Sequence, residues 1–450
     1  MQANPLTLSG TYLIPGNPET DVYLLPVSGG ADSTALAILL HEIAPEIDFR
    51  MVFTDTGAEE KETIESLDRL EIWLGKKIER IGEKTLFSLI DEYNGFLPSP
   101  RDRWCTRELK LVPFRAWIKQ FEGRQKWMFV GVRADEADRL AFALPEVETE
   151  MPFVDLGVNR AWVYRKLSET IGIPRSYQTR SRSGCTVCPY QRKSEIIGLL
   201  QRAPHEFDRG AQCEKLSVID LHRHAPGVPL WKDTAIAQNW HGFPMPESDD
   251  AIEKGSLAKA KGDDLFGARI FVGGEFFFDA MPGQPEFVWA QRLVCFSPTL
   301  AGVKKQLDGR YVHLLSTAEV HDMTPDEVRQ QVRFAIWYIE MPSDFFFNDK
   351  ACTESYTWAD GTSYRQIQHV VDWATRALNA DYQRQQAASS PHQLTVQYEW
   401  AKSAQEAINE ADAPLGGVLL SQWYKAKDEE DPPETEEEAL KLIPCPMCHI

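Results

Sequence analysis

Residues 22–40 read VYLLPVSGGADSTALAILL, and this stretch decides the fold. The apolar run from Val22 to Val27 is typical of a buried strand. A tight, glycine-rich turn follows, and the residues from Thr34 to His41 favour a helix. A strand, a glycine turn and a helix N-terminus together aim backbone N–H groups and the positive end of a helix dipole at one point. That geometry binds phosphate.

The turn carries residue types that suit a phosphate site. Gly29 and Gly30 let the backbone approach an anion closely, and Ser28 and Ser33 add hydroxyl donors. Asp32 can hold a magnesium ion or a water, and we assign it a catalytic role. The turn lacks the Gly-Lys-Ser/Thr of a Walker A loop. The alternative is a plain glycine turn with no ligand.

Further strands and helices alternate after this turn. Strand-like segments lie at residues 49–54, 77–81 and 126–132, and helix-like segments at 62–74, 86–93 and 109–121. This alternation predicts an α/β fold with a doubly wound, Rossmann-like parallel sheet. Asp55 follows the second strand, at the sheet edge where ligands bind. It either contributes to the site or caps the next helix.

The composition changes in the second half of the chain. A polar stretch at 242–264 predicts a boundary between a nucleotide-binding domain at 1–240 and a C-terminal α+β extension at 265–350. In the extension we expect strands at 268–272, 275–279, 287–296 and 311–315, with a capping box at Thr324 that begins a helix. Residues 351–427 favour helices, and 428–450 combine an acidic linker with a final Cys-x-x-Cys.

The charge and composition limit the functional classes. The hydrophobic content of 43% with 26% charged residues is ordinary for a globular protein, and no stretch approaches the roughly 18 apolar residues of a membrane span. The N-terminus lacks the pattern of a signal peptide, which predicts a cytoplasmic protein without a membrane partner. The net charge of −19 argues against a broad nucleic-acid-binding surface but leaves room for a local basic groove.

The chain has eight cysteines, which in a reducing cytoplasm are better suited to metal binding or thiol chemistry than to disulfides. Cys185 and Cys188 form one Cys-x-x-Cys pair, and Cys445 and Cys448 form another. One pair cannot complete a four-ligand site, so further ligands must come from elsewhere in the chain.

A third motif surrounds Cys105. Arg103 and Arg107 flank this cysteine, and Lys110 follows one helical turn later. Such cations lower the pKa of a thiol and bind anions. Cys105, Arg107 and Lys110 are therefore candidate catalytic residues.

These motifs together carry a family resemblance. The loop Ser-Gly-Gly-x-Asp-Ser resembles the PP-loop of ATP pyrophosphatases, which split ATP between its α and β phosphates. The pattern Arg-x-Cys-x-x-x-x-Lys-x-x-Pro from Arg103, followed by Cys185-x-x-Cys188, is similar to the PAPS reductase family. Gly131 and Arg133 belong to a Gly-x-Arg-x-x-Glu element like that of the family.

The resemblance implies a set of cluster ligands. Adenylyl-sulfate reductases of this family hold a [4Fe–4S] cluster with a Cys-Cys pair and a later Cys-x-x-Cys, which Cys105, Cys185 and Cys188 match in part. The fourth position is Thr106 here. Cys213 or the C-terminal pair Cys445 and Cys448 are left as substitutes, and the C-terminal pair is favoured because the surroundings of Cys213 suit a core thiol. Zinc is the alternative metal.

The resemblance also implies an activity. An intact PP-loop favours ATP with Mg²⁺, bound through the loop, Asp55, Gly131 and Arg133, and adenylation of an acceptor with release of pyrophosphate. Arg107, Lys110 and Arg133 would neutralise developing negative charge. Sulfur transfer to a nucleic acid or nucleotide follows, with a sulfur-donor protein such as a cysteine desulfurase. The alternatives are a phosphoadenosine phosphosulfate reductase that forms sulfite, and a nucleotide-binding regulatory or defence protein without turnover.

Overall fold

The computed structural model describes residues 10–93, 95–99, 102–136, 144–214, 269–279, 287–297, 300–340 and 422–424, together with 364, 367, 368, 370–372, 374 and 375. The predicted domain boundary, the acidic linker, Cys445 and Cys448 lie outside the described residues. The helices among the described residues include none that is long and apolar enough to cross a membrane.

The first half is built on a five-stranded parallel sheet in the order β3-β2-β1-β4-β5. Its strands are β1 Val22–Pro26, β2 Phe49–Thr54, β3 Glu79–Ile81, β4 Lys126–Phe129 and β5 Glu148–Glu150. The central strand β1 is buried along its whole length. Because β2 and β4 lie on opposite sides of β1, the chain reverses direction across the sheet there. The loop after β1 therefore lies at the topological switch point.

Helices cover both faces of this sheet, as the doubly wound prediction requires. Tyr23 and Leu25 pack against α1 Ala31–Ile43, α2 Lys61–Leu74 and α7 Arg160–Ser168. Val22 and Leu24 point to the other face and pack against α5 Val112–Ile118. Alternate residues of one strand thus serve two cores, which explains why β1 is apolar throughout.

The helix expected at 109–121 begins earlier, at Trp104. It starts with α4 Trp104–Thr106, widens into a π turn over Arg107–Leu111, and continues as α5. Pro113 sits in the first turn of α5. A proline has no N–H for a helical hydrogen bond, and the wider π turn before it reduces the need for one.

The remaining elements of the first half complete its shell. They are α3 Leu86–Glu92, α6 Pro152–Asp155, α8 Lys193–Arg202, α9 Pro204–Cys213 and three 3₁₀ turns at Lys119–Phe121, Ala134–Glu136 and Arg175–Gln178. Thr85 caps α3 with a reciprocal capping box shared with Ser88.

The second half forms an antiparallel sheet in the order β7-β6-β8-β9. Its strands are β6 Arg269–Asp279, β7 Phe287–Ser297, β8 Val332–Glu340 and β9 Gln422–Tyr424. Two helices, α10 Leu300–Ser316 and α11 Pro325–Gln331, pack on one face over a separate apolar core. Thr324 caps α11 with the predicted capping box. This is the C-terminal α+β extension.

Three expectations for the second half need correction. The strand expected at 311–315 is wrong, because these residues belong to α10, where Leu307, Tyr311 and Leu314 face the core at helical spacing. Gly273 and Gly274 do not separate two strands; they lie within β6 at a register shift. The short strand β9 falls within the 351–427 segment that was expected to be helical, whereas the described residues between 364 and 375 are helical.

The two halves share a packed interface. An apolar cluster joins Ile197 and Phe207 of the first half to Phe276 and Leu293 of the second. The Lys193 ammonium donates a hydrogen bond to the Phe296 carbonyl at 2.9 Å, and its charge lies 4.4 Å from the centre of the Phe296 ring. The extension is thus packed directly against the parallel-sheet half.

Candidate functional site

The loop between β1 and α1 is closed by its two serines. The Ser28 N–H donates to the Ser33 hydroxyl at 3.0 Å, and the two hydroxyls lie 3.1 Å apart. The Gly30 N–H donates to the Ser28 hydroxyl at 3.3 Å. These contacts fold the loop into a narrow turn at the start of α1.

Glycines make this turn possible because neighbouring residues lie too close to the backbone for a side chain. Gly29 has a φ of +69°, and a Cβ there would lie 2.7 Å from a Thr63 methyl carbon and 2.9 Å from the Thr63 carbonyl oxygen. A Cβ on Gly30 would lie 2.3 Å from the Ser183 hydroxyl. Gly131, after β4, packs so closely that a Cβ would lie 3.0 Å from the Asp32 carbonyl carbon. A side chain at Gly29 or Gly30 would therefore clash with its neighbours, and one at Gly131 would require the backbone at Asp32 to shift.

Tyr177, which sequence reasoning missed, binds the first amide of α1. The Ala31 N–H donates to the Tyr177 hydroxyl at 2.7 Å. Burial raises the pKa of Tyr177 to about 12, and the negative Asp32 adds to the rise, while the hydrogen bonds from Ala31 and Ser183 oppose it. Tyr177 therefore remains a neutral phenol. It lies far away in the sequence and carries no motif that would have revealed it.

Asp32 is held by Arg133. Both carboxylate oxygens accept from one Arg133 nitrogen, at 2.9 and 2.8 Å. Arg133 is only 4% exposed and also donates to Asp135 at 2.9 Å and to Glu136 at 2.5 Å. Burial opposes its charge, yet the three carboxylates hold the pKa of Arg133 well above its ordinary value. A magnesium ion bound to Asp32 would have to share the carboxylate with Arg133 or break the Asp32–Arg133 ion pair.

Asp55 stabilises its own turn. Its carboxylate accepts from the Gly57 N–H at 2.8 Å. It does not cap α2, whose N-cap is Glu60. Asp55 thus lies at the predicted edge of the sheet, with its side chain turned into the local backbone.

Glu59 is a second residue that sequence reasoning missed as a site candidate. Its carboxylate accepts from the Thr56 hydroxyl at 2.7 Å and from the Thr56 N–H at 3.2 Å. Burial raises its pKa, while Thr56 and the nearby Lys110 ammonium oppose the rise. Its position just past the end of β2 is the signal that could have identified it.

Cys185 is brought against the end of β2. Cys185 and Glu59 form an isolated antiparallel bridge, and the Thr186 N–H donates to the Ala58 carbonyl at 2.8 Å. The Cys185 sulfur lies 3.3 Å from the Thr56 hydroxyl. Burial raises the pKa of the Cys185 thiol, the negative Glu59 adds to the rise, and Lys110 opposes it.

One small cleft lies among these elements. It is lined by Ser28, Phe53, Thr54, Glu59, Lys110, Ser183 and Gly184. The cleft therefore joins the phosphate-type loop, the end of β2, the predicted Lys110 and the residues just before Cys185. Arg107 is not among the lining residues; its side chain is 65% exposed and pairs with Glu108 at 2.8 Å.

The described cysteines do not form a metal site by themselves. Among the described residues there is no group of three or more His, Cys, Asp or Glu side chains placed to hold a metal. Cys105 and Cys185 pack against the same apolar cluster, as does Cys213, whose pKa burial raises to about 11. Cys188 follows Cys185 in a turn closed by a 3.2 Å hydrogen bond. This donor set fits neither a [4Fe–4S] cluster nor zinc without further ligands.

A cation–aromatic stack lies next to the cleft in sequence. The guanidinium carbon of Arg103 lies 5.4 Å from the centre of the Tyr190 ring, and that of Arg182 lies 5.8 Å from it. Arg182 immediately precedes Ser183, which lines the cleft. Positive charge and an aromatic ring are thus combined on the segment that carries Cys185.

Comparisons with known proteins agree with this architecture. The phosphoadenosine phosphosulfate reductase domain model matches residues 23–154. An uncharacterised 37.8 kDa protein of Escherichia phage 186 is 31% identical over 258 residues, covering 44% of this chain and 76% of the phage protein. An uncharacterised protein of Methanocaldococcus jannaschii is 26% identical over 197 residues, covering 41% of this chain but only 40% of the archaeal protein's length.

A solved structure offers a weaker likeness. The phosphoadenylyl-sulfate reductase of Candida auris, in a phosphate complex, has a TM-score of 0.26 and 12% identity, covering 33% of this chain and 72% of that one. At these values the likeness adds nothing to the sheet order described above. The family model and the phage relative carry the assignment: this chain belongs to the phosphoadenosine phosphosulfate reductase domain family.

Proposed function

We propose that this chain is an ATP pyrophosphatase of the family, which adenylates an acceptor and releases pyrophosphate to prepare the acceptor for sulfur transfer. One observation carries this proposal. The cleft places the intact loop of Ser28 beside Ser183 and Gly184, which lead directly into the Cys185 thiol. The phosphate-type loop and a thiol thus lie at one edge of the sheet, which supports the proposal.

The proposed first step is attack by an acceptor oxygen on the α-phosphorus of ATP. The bond between the α-phosphorus and the bridging oxygen breaks, and pyrophosphate leaves with that oxygen. The positive end of α1 and the hydroxyls of Ser28 and Ser33 suit the phosphates. The Ser28, Gly30 and Ala31 amides already donate within the protein. Lys110 lines the cleft and supplies positive charge there.

The second step replaces AMP by sulfur. A persulfide sulfur, supplied by a donor protein of the cysteine desulfurase class, attacks the activated acceptor atom, and AMP leaves with the former acceptor oxygen. A second thiol then attacks the remaining S–S bond, so that the acceptor keeps one sulfur and a disulfide forms. The Cys185–Cys188 pair is the candidate for this thiol, since the Cys185 sulfur lies 3.3 Å from the Thr56 hydroxyl, which donates to Glu59 of the cleft lining.

The family resemblance suggests a [4Fe–4S] cluster on Cys105, Cys185 and Cys188, but among the described residues this donor set lacks a further ligand, and cysteines bound to a cluster could not carry out the thiol chemistry above. No step above depends on the cluster. A nucleic-acid acceptor is favoured by the stack of Arg103, Tyr190 and Arg182, because a cation and an aromatic ring together suit phosphate and base.

Sulfonucleotide reduction is the second candidate. It is favoured by the match to the reductase domain model, which includes the loop, the Cys105 motif and Arg133. In that reaction the chain would bind a phosphoadenosine phosphosulfate and release sulfite, with electrons from a reduced thiol protein such as thioredoxin.

Two parallel assays on the full chain test the proposal. One contains ATP, Mg²⁺, a cysteine desulfurase with cysteine as the persulfide source, and either transfer RNA or duplex DNA; the other contains phosphoadenosine phosphosulfate and reduced thioredoxin. We expect pyrophosphate and a thiolated nucleic acid, measured by mass spectrometry, in the first assay. Sulfite in the second assay and no pyrophosphate in the first would overturn the proposal in favour of the reductase. Nucleotide binding without either product would leave a regulatory protein.

A matched pair of cysteine variants locates the chemistry. Cys185→Ser should abolish thiolation while pyrophosphate release persists. Cys295→Ser is the control, because Cys295 is also a buried thiol but lies in the core of the second sheet. Equal loss of thiolation in both variants would contradict a role for Cys185 in sulfur transfer.

A further inference from the structure

The second half of the chain holds the 3₁₀ turn Arg175–Gln178 of the first half through three hydrogen bonds. His313 of α10 lies with its Nε2 2.9 Å from the Tyr177 carbonyl oxygen. Arg310, one turn earlier on the same helix, donates to the Gln178 carbonyl. The Gln178 side chain donates in return to the Val320 carbonyl at 3.0 Å. The extension therefore binds two backbone carbonyls of this turn, those of Tyr177 and Gln178, and also the Gln178 side chain.

The same turn reaches the nucleotide loop from its other side. The Tyr177 hydroxyl accepts the Ala31 N–H at 2.7 Å, and its ring packs at 5.8 Å from the ring of Tyr164 in α7. One residue thus contacts the extension through its carbonyl and the first amide of α1 through its hydroxyl. The loop is also held through the Asp32 carboxylate, which accepts from Arg133 at 2.9 and 2.8 Å.

Arg310 and His313 of α10 are themselves held in place. Arg310 forms two hydrogen bonds to the fully buried Glu275 of β6, at 2.7 and 2.8 Å. Burial and the neighbouring Arg310 and Arg160 hold the pKa of His313 well below its ordinary value, so the ring is neutral at neutral pH. A neutral ring at 2.9 Å from a carbonyl must carry its proton on Nε2, and His313 therefore donates.

We propose that the extension is part of the nucleotide site: α10 positions Tyr177 through His313, and Tyr177 positions the phosphate-type loop through Ala31. Tyr177 and His313 are positioning residues, because neither lines the cleft. The ordering of the loop stands on these contacts alone, whereas its consequence for ATP affinity rests on the proposed function. A loop that is already fixed loses less entropy when it binds phosphate, so the extension should increase affinity.

Hydrogen–deuterium exchange on the full chain without nucleotide tests the positioning directly. His313→Leu removes the donor to Tyr177, whereas His313→Gln keeps an N–H donor at a similar reach. We expect exchange of the peptide that contains residues 28–34 to become about tenfold faster in His313→Leu and to return towards the original rate in His313→Gln. Gln201→Leu is the control, since Gln201 donates to Leu293 across the same interface without touching the 175–178 turn.

A double variant separates positioning from general loosening. Tyr177→Phe keeps the ring but removes the acceptor for Ala31, and should speed loop exchange by about as much as His313→Leu. In the Tyr177→Phe background, His313→Leu should add little to the exchange rate, because the hydrogen bond from Ala31 to Tyr177 is already missing. Unchanged loop exchange in Tyr177→Phe, full additivity of the two changes, or an equal effect of Gln201→Leu would each overturn the proposal.

ATP titration of the same variants then reads the functional consequence. We expect about tenfold weaker binding in Tyr177→Phe and in His313→Leu, and partial recovery in His313→Gln. Tighter binding in Tyr177→Phe would show that Tyr177 competes with phosphate for the Ala31 amide, and would overturn the positioning role. If the unmodified chain binds no ATP, the proposed function fails, while the exchange experiment still decides the positioning.

Discussion

The first half has a parallel sheet and the second an antiparallel one, but each contains the same kind of buried ionic cluster. Each half buries a glutamate that is held by two arginines: Glu60 with Arg180 and Arg202 in the first, and Glu275 with Arg310 and Arg292 in the second. Glu60 is 1% exposed and Glu275 is 0% exposed. The difference lies in what each ionic cluster holds in place.

The first cluster fixes the segment that leads to Cys185. Arg180 pairs with Glu60 and also donates to the carbonyls of Gly184, at 3.1 Å, and Cys185, at 3.3 Å. The second cluster fixes α10, whose Arg310 reaches the Gln178 carbonyl. One cluster thus supports the thiol side of the cleft, and the other supports the turn behind the phosphate-type loop. The comparison teaches that the antiparallel half contributes to the site without lining it.

The largest expected effect comes from breaking either cluster. Glu60→Gln and Glu275→Gln each leave one buried and one partly exposed arginine without this carboxylate, which should lower the free energy of unfolding by about 3–5 kcal/mol. Because the halves share an apolar cluster, we expect one unfolding transition that moves in both variants. Calorimetry that resolves two transitions, with only one shifted in each variant, would show that the halves unfold independently.

Two glycine-to-alanine variants compare the loop at residues 28–33 with the rest of the first half. Gly29 and Gly75 have similar positive φ values of 69° and 63°, so alanine strains both backbones by about 1 kcal/mol. Only at Gly29 would the new Cβ meet Thr63; nothing lies within 4 Å at Gly75. Gly29→Ala should therefore weaken ATP binding by at least about tenfold, measured by titration calorimetry. An equal change in Gly75→Ala would contradict a specific loop.

Acid should destabilise both halves through the same two carboxylates. Burial alone would raise the pKa of Glu60 and of Glu275, but their arginine partners outweigh it and hold each pKa below its ordinary value. A depressed pKa stabilises the fold above the unfolded value of about 4.3, and this stability is lost as the pH falls through the folded value.

The pH experiment compares denaturant midpoints between pH 6 and pH 3. The original chain should lose stability below about pH 4, and Glu60→Gln should lose less over the same range because it has one such group fewer. A parallel loss in the original chain and in Glu60→Gln would contradict the assignment of the depressed pKa to Glu60.

The smallest expected effects come from the helix caps. Thr85 caps α3 in the first half and Thr324 caps α11 in the second, each in a reciprocal capping box. Thr85→Ala and Thr324→Ala should each lower the free energy of unfolding by about 1 kcal/mol, measured by denaturant titration. Serine at either position should restore most of the loss. A loss above about 3 kcal/mol would mean that the hydroxyl has a role beyond capping.

Much of the first half could be predicted from local pattern. The strand β2 has the predicted bounds 49–54, because a compact apolar run ends there in polar residues. The second half was harder, because short apolar runs do not distinguish a strand from a buried helix. Residues 311–315 look like a strand in isolation, yet they lie in a 17-residue helix whose apolar positions recur over several turns.

The residues of the site also differ in how far the sequence could predict them. The glycines of the loop were predictable because the turn, the close approach and the motif agree at one place. Tyr177 and Ser183 were not, since they reach the loop from about 150 residues away and only packing brings them there. Arg133 was expected to neutralise substrate charge, and this role stays a prediction; the structure places it among three carboxylates, two of which follow it within three residues.

Product analysis of ATP turnover tests the central claim most directly. The full chain, Gly29→Ala and Gly75→Ala are incubated with ATP, Mg²⁺, a cysteine desulfurase with cysteine, and the nucleic-acid acceptor, and the nucleotide products are separated. We predict AMP and pyrophosphate in equal amounts from the original chain and from Gly75→Ala, and a severe loss of both in Gly29→Ala. ADP and phosphate as products, or AMP formation that survives in Gly29→Ala, would contradict cleavage between the α and β phosphates at this loop.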